Sequence, residues 1–276
     1  MDTIDCTPAA GRKEDALRDG FVVNDGVRIH YQVEGSGPPL FLHHGFTGSS
    51  QSWRDFGYTK EIADGYTLVL IDARGQGASD KPYDVEANTM ERRTDDIRLV
   101  LDELEIDRVH FWGYSMGGRT AFAFVQRYPD RLRSLVIGGA SPYVVPESTA
   151  WNNALAVAAE RGDAAMLAGD VEGDMAFMEE GLRRSDRKAL AATQRGIMKW
   201  PGVDPATITT PALLYCPTED PRLGHMEKAA AAMGTKLHLV QGKSHAQGFY
   251  DGLEVIPAVR GFLAGVERGD APRAAG

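Results

Sequence analysis

One serine in this chain stands in the pattern of an activated nucleophile. Ser115 lies in FWGYSMGGRT (residues 111–120), which fits G-x-S-x-G between Gly113 and Gly117. An apolar run precedes the motif and a helical pattern follows it. A nucleophile on a sharp strand-to-helix turn takes a strained backbone, and its neighbours must carry no side chain that would clash. Such a turn lifts the hydroxyl above the sheet. It also aims the next backbone N–H, that of Met116, into the same space at a helix N-terminus, where negative charge is favoured. Five residues alone are a weak signal. The strand before, the helix after and suitable partners in chain order make it specific.

A serine hydroxyl needs a base to become nucleophilic. Histidines after Ser115 are His225, in a helical stretch, His238, alternating within KLHLV, and His245, in QGKSHAQGF. Only His245 directly follows the last apolar strand, where loops at the sheet's C-terminal edge converge, so it is the expected base. The base needs a carboxylate to fix its tautomer. YCPTEDP offers Glu219 and Asp220, and Asp220 is favoured; the preceding loop, GGASPYVVP, has no acid before Glu147. The order Ser115, Asp220, His245 is the one expected for a nucleophile on a strand-to-helix elbow. An oxyanion hole needs two N–H donors. Met116 supplies one, and Phe46 in HHGFTGS supplies the other, with Gly45 letting that loop turn tightly and His44 bracing it.

These groups require elements that bring them to one edge. FVVNDGVRIHYQVEG reads as a hairpin with turn chemistry at Asn24-Asp25-Gly26, followed by the buried strands PLFLHH and YTLVLID. TMERRTDDIRLVLDELEI is an amphipathic helix with Ile97, Val100, Leu101 and Leu104 on one face. Strands VHFWGYS, LRSLVIGG, PALLYCP and KLHLV alternate with further helices. That alternation predicts an α/β fold with a mostly parallel sheet covered on both faces. Residues 144–205 show only helical periodicity and read as a helical lid inserted into the core, which spans 20–143 and 206–266. Residues 1–19 are expected to be a disordered N-terminal segment and 267–276 a frayed tail.

The composition fits a globular protein, 43% hydrophobic and 25% charged over 276 residues. A formal net charge of -9 and no basic block argue against a nucleic-acid partner. The N-terminal stretch has no apolar signal-peptide region and no run reaches membrane-spanning length, so no membrane partner is expected. Cys6 and Cys216 read as unpaired thiols, which suits the cytoplasm. The expected partner is a small-molecule substrate, with a homodimer as the only assembly considered. No cofactor and no metal are expected, since no Cys/His cluster has metal-ligand spacing. The Gly-rich DARGQGASD lacks the Lys-Ser/Thr of a phosphate-binding loop, and Asp72 and Arg74 there are expected to tie loops together.

Over about residues 20–266 these motifs together resemble the α/β-hydrolase superfamily: HHGFTGS, DARGQGASD, GYSMGG, TEDP and KSHA. The resemblance implies a twisted eight-stranded sheet with the helical block as a lid. Pro217 stands where relatives often have glycine before the acid. Within the superfamily, HGFTGSSQSW, GYSMGGR and GGASP are similar to the menaquinone-pathway succinyl-hydroxycyclohexadiene carboxylate synthases, lyases that expel pyruvate. That likeness implies that Tyr114 and Arg119 line the pocket. Those lyases also hold their polyanionic substrate with lid arginines, whereas this lid has no basic residue from Val144 until Arg161. Arg119 is therefore either a carboxylate clamp or a helix residue paired elsewhere, and the sparse lid favours the second. Trp151, Met178 and Trp200, with Met166, Met175, Phe177 and Met198, predict a soft apolar pocket wall. The leading expectation is a serine hydrolase acting on a small to medium, largely apolar ester, lactone or thioester. The alternative is a pyruvate-eliminating lyase using the same triad as a base.

Overall fold

The computed structural model describes residues 17–144, 146–163 and 172–270, without the side chains of 146–148, 151, 172 and 173. Among them the strands form one eight-stranded sheet. β1 (Arg18–Asn24) and β2 (Val27–Gly35) make the expected hairpin. Its turn places Asp25 and Gly26 at φ 47° and 77°, the left-handed pair that a tight hairpin turn needs. β1 begins at Arg18, inside the segment expected to be disordered, because Asp19 is anchored by His30 and Gln32 across the hairpin.

The remaining strands are β3 (Pro39–His43), β4 (Thr67–Ile71), β5 (Val109–Tyr114), β6 (Leu132–Gly138), β7 (Ala212–Pro217) and β8 (Leu237–Val240). Their spatial order is β1-β2-β4-β3-β5-β6-β7-β8, antiparallel at β1–β2 and β2–β4 and parallel from there on. Every residue of β5 is buried, as its unbroken apolar run requires for a strand covered on both faces.

Two layers of helices cover the sheet. On one face lie α3 (Met90–Glu103) and α4 (Met116–Arg127), packing Ile97, Val100, Leu101, Phe122 and Phe124 onto Phe111 and Ile137. On the other lie α1 (Ser50–Asp55), α2 (Tyr58–Ile62) and α10 (Ile256–Arg268), with Trp53, Tyr58, Val259 and Leu263 against Trp112 and Val136. α10 runs to Arg268 and ends on Gly269 at φ 77°, so the helix continues past the tail boundary expected at 267.

The chain steps outward from β3 to β4, then returns to place β5 on the other side of β3. This reversal sets the C-terminal ends of β3 and β5 side by side, His43 level with Gly113. A crevice opens at such a switch point in open α/β sheets. Three helices from the segment read as a lid stand over it: α5 (Pro146–Arg161), α6 (Glu172–Arg184) and α7 (Arg187–Ile197). The core then resumes at β7, followed by α8 (Leu223–Ala232), β8, α9 (Gln247–Tyr250) and α10.

Candidate active site

Ser115 sits between β5 and α4 at φ 53° and ψ -113°. A non-glycine residue at such a positive φ is strained and persists only where its surroundings hold it. Its N–H donates to Gly138 O (2.9 Å) and its carbonyl accepts from Arg119 N–H (2.9 Å), which fix the turn on both sides. The flanking glycines are needed for close approach. A Cβ on Gly113 would lie 2.3 Å from Gly117 O, and one on Gly117 would lie 2.1 Å from His43 O.

The three residues expected to act together do meet. His245 Nε2 is 2.8 Å from Ser115 Oγ, and His245 Nδ1 is 2.5 Å from Asp220 Oδ2. Asp220 is buried, and its second oxygen accepts from the Arg222 backbone N–H (2.9 Å) and Nη1 (3.0 Å). Burial works to raise its pKa, but the charges of His245 and Arg222 and the hydrogen bonds outweigh it. The carboxyl is held well below the usual carboxylate range and stays ionised. Pro217 does not displace it: the Pro217 carbonyl accepts from Asp220 N–H (3.2 Å), so the turn forms with proline in glycine's place.

The loop after β3 crosses over the serine. The loop turns tightly at Gly45, as expected, with Gly48 N–H donating to Gly45 O (3.2 Å), and the positive φ of that turn falls on Thr47, at 64°. What the glycine leaves is space, since a Cβ there would face Ser115 Cβ at 3.5 Å. His44 braces the loop from behind. Its Nε2 accepts from Ala73 N–H (3.1 Å), so Nδ1 carries the proton and donates to Gly45 O (2.7 Å). Burial above all keeps both His43 and His44 below the ordinary histidine pKa, hence neutral.

Above these groups is a cavity of about 130 Å³ that Ser115, His245, Phe46, Met116, Tyr114 and Arg119 all line. Leu155, Met175, Phe177, Met178 and Ile197 close it with an apolar wall from the three inserted helices. Trp200 is not part of that wall. It stands behind Arg119, whose guanidinium carbon is 5.6 Å from its ring centroid, and its indole N–H donates to Gln126 (3.1 Å). The Trp151 side chain lies outside the described residues.

Arg119 is where the structure departs most from expectation. Among the described residues it makes no ion pair and its buried Nε has no hydrogen-bond partner; what it meets is the ring of Trp200. Burial and the neighbouring Arg222 charge pull its pKa down to about 10, which leaves it cationic at neutral pH. Arg222 lines the same cavity. Sequence reasoning did not single out Arg222, although it lies two residues past Asp220, nor Asp174 on α6, for which the sequence offers no signal.

A wider depression, about 790 Å³, opens at the far end of the sheet beside Arg108, Thr210 and Glu267. Near it His110 joins Ser134 Oγ (2.7 Å) and Glu267 (2.9 Å). Ser134 and His110 are wholly buried, so this second Ser-His-acid set is closed to a substrate.

A family model described as the alpha/beta hydrolase fold matches residues 38–174, from just before β3 into α6. The chain has the α/β-hydrolase fold. It is 37% identical over 126 residues to a Bacillus subtilis (strain 168) protein provisionally named 2-succinyl-6-hydroxy-2,4-cyclohexadiene-1-carboxylate synthase, covering 44% of each chain. It is 32% identical over 150 residues to 2-hydroxy-6-oxononadienedioate/2-hydroxy-6-oxononatrienedioate hydrolase 2 of Pseudomonas putida, covering 51% of each. The chain thus spans about half the length, or less, of the curated relatives it matches. Among solved structures, an esterase of Thermogutta terrifontis superposes with a TM-score of 0.77 at 22% identity, over 90% of this chain and 99% of that one. At that identity the likeness is one of fold. Among the described residues no helix is long and apolar enough to cross a membrane.

Proposed function

We propose that this protein is a serine hydrolase that cleaves a compact carboxylic ester, lactone or thioester carrying an anionic group. The observation that supports this most is the continuous link from Asp220 through His245 to Ser115 Oγ at the floor of a cavity. In this reading His245 Nε2 takes the proton of Ser115 Oγ as that oxygen attacks the substrate carbonyl. Asp220 holds the Nδ1–H tautomer and stabilises the imidazolium that forms. The Phe46 and Met116 N–H groups donate to the tetrahedral oxyanion; each such donor is worth on the order of 10²–10³ in rate. His245 then protonates the departing oxygen or sulfur, leaving an acyl group on Ser115. Water, deprotonated by His245, attacks that acyl group, and the acid departs as Ser115 regains its proton.

The cavity suits a small substrate of mixed character. Its apolar wall fits an acyl chain or ring, while Arg119 and Arg222 offer positive charge at one corner. Arg119 is half-buried with no ion-pair partner among the described residues, and a substrate carboxylate would supply one. The test is a panel of short esters, lactones and thioesters, each with and without a terminal carboxylate. Turnover of at least one of them by the native enzyme, and none by Ser115→Ala, supports the reading. Equal rates in both would end it.

The unpaired Arg119 also favours a second reading, elimination of a carboxylate-bearing fragment with His245 as the base. The likeness to the Bacillus subtilis protein points the same way. A proton-abstracting lyase would consume its substrate without an acyl-enzyme, which rapid-quench mass spectrometry distinguishes from the hydrolase.

A further inference from the structure

The inserted helix α6 touches the site in a way that covering it does not require. Its Asp174 is buried and reaches down to the loop that carries His245. One oxygen, Oδ1, accepts from Ser244 Oγ (2.5 Å) and from the Ala246 N–H (3.0 Å). These are the residues immediately before and after His245. The same loop is also held by Tyr114, whose hydroxyl donates to the His245 carbonyl (2.5 Å), and by Gln247, whose side chain accepts from Ser244 N–H (2.9 Å).

Two helical turns further along, and so on the same face of α6, Gly181 lies against the other half of the site. A Cβ on Gly181 would fall 2.3 Å from Thr47 Oγ1 and 2.6 Å from Thr47 Cβ. Thr47 is the left-handed residue next to Phe46. One helix therefore bears on the histidine loop at one end and on the oxyanion loop at the other.

A carboxylate that accepts two hydrogen bonds on one oxygen, in a buried place, is a strong local tether. Both bonds tie α6 to that loop, and neither reaches the reacting atoms. We infer that Asp174 is a positioning residue: seated in the lid, it fixes the backbone on both sides of His245, so that the imidazole meets Ser115 only while α6 is docked. Gly181 against Thr47 keeps the oxyanion loop in register with that same docking. This rests on the hydrolase reading for its effect on rate, but the tether itself is a property of the fold.

The experiment compares native protein, Asp174→Ala, Asp174→Asn and Ser244→Ala. Amide hydrogen exchange is read at Ala246, alongside the rate at which a fluorophosphonate probe labels Ser115. Asp174→Ala is expected to speed exchange at Ala246 about tenfold or more and to slow labelling by a similar factor, since each lost buried bond is worth about a factor of ten. With a substrate in hand, the loss should fall on kcat and not on KM. Asp174→Asn keeps an acceptor at Oδ1 and should recover most of both. Ser244→Ala removes one bond of the two and should lie between; it carries the test if Asp174→Ala does not fold. Unchanged exchange at Ala246 and unchanged labelling in both Asp174→Ala and Ser244→Ala would overturn the inference, as would a change in KM alone. Faster exchange in variants of a protein whose native form never labels would leave the tether standing and remove the hydrolase reading instead.

Discussion

Tyr114 and His245 are joined by a hydrogen bond of 2.5 Å from the tyrosine hydroxyl to the histidine's own carbonyl, and their rings stack at 5.5 Å. Tyr114 is also the residue directly before Ser115. Ser115 and His245, far apart in sequence, are thus connected through one side chain as well as through their own hydrogen bond. Burial first, and the Asp220 charge next, hold the Tyr114 hydroxyl well above its ordinary pKa, so it stays a donor.

Tyr114→Phe keeps the stack and deletes the bond. It should leave the part-buried His245 carbonyl without this donor, at a cost of about 1 kcal/mol, and lower kcat by about tenfold. Urea unfolding with steady-state kinetics on one ester checks both. A fall in stability with kcat unchanged would mean that the bond serves packing alone.

Arg119→Met separates substrate binding from folding. For a carboxylate-bearing ester, kcat/KM should drop about 10- to 100-fold, matching the roughly 1.5–3 kcal/mol of a charge-assisted hydrogen bond. A neutral ester of the same length should be cleaved as before. Because its Nε is buried with no hydrogen-bond partner and the half-buried side chain makes no ion pair among the described residues, its removal should raise the melting temperature. A lowered melting temperature would show that Arg119 is stabilised in the free enzyme after all.

Much of this site is legible in the sequence. The serine elbow, the histidine after the last strand and the acid after the one before it follow from local pattern and chain order. So does the parallel sheet, because buried strands write themselves as unbroken apolar runs. Arg119 was not legible in this way. Whether a helical arginine finds a carboxylate depends on which side chains the lid brings near it, and helical periodicity gives the lid's faces without giving its docking. Asp174 was hidden for the same reason, since its partners Ser244 and Ala246 are far away in sequence. Trp200 shows the converse. Its aromatic character suggested a pocket wall, but the chain tucks it behind Arg119, where its indole finds Gln126.

Acid should weaken the fold through the histidine pair at the end of β3. His43 and His44 are buried and neutral, with folded-state pKa values below the ordinary 6.5. The unfolded chain therefore binds more protons than the native state once the pH drops below about 6.5, and stability falls with it. Above that pH the pair contributes no slope. Urea midpoints between pH 8 and pH 5 should decline only on the acid side, and His43→Phe should flatten the decline.

Gly117→Ala probes the elbow without touching a reacting group. Its new Cβ would press on the His43 carbonyl, which is backbone and cannot swing aside. Overpacking of this kind costs about 1–3 kcal/mol, and here the shift would also move Ser115 away from His245. Both the urea midpoint and the activity should fall. Activity at the native level would show that the elbow accommodates a side chain.

The central claim is that Ser115 is made nucleophilic by His245 and Asp220. Fluorophosphonate labelling followed by peptide mass spectrometry tests it most directly. The account predicts one adduct, on Ser115, absent from Ser115→Ala and slowed on the order of 10⁴-fold in Asp220→Asn, where the histidine takes the wrong tautomer. Labelling that persists in Ser115→Ala, or proceeds at the native rate in Asp220→Asn, would contradict it.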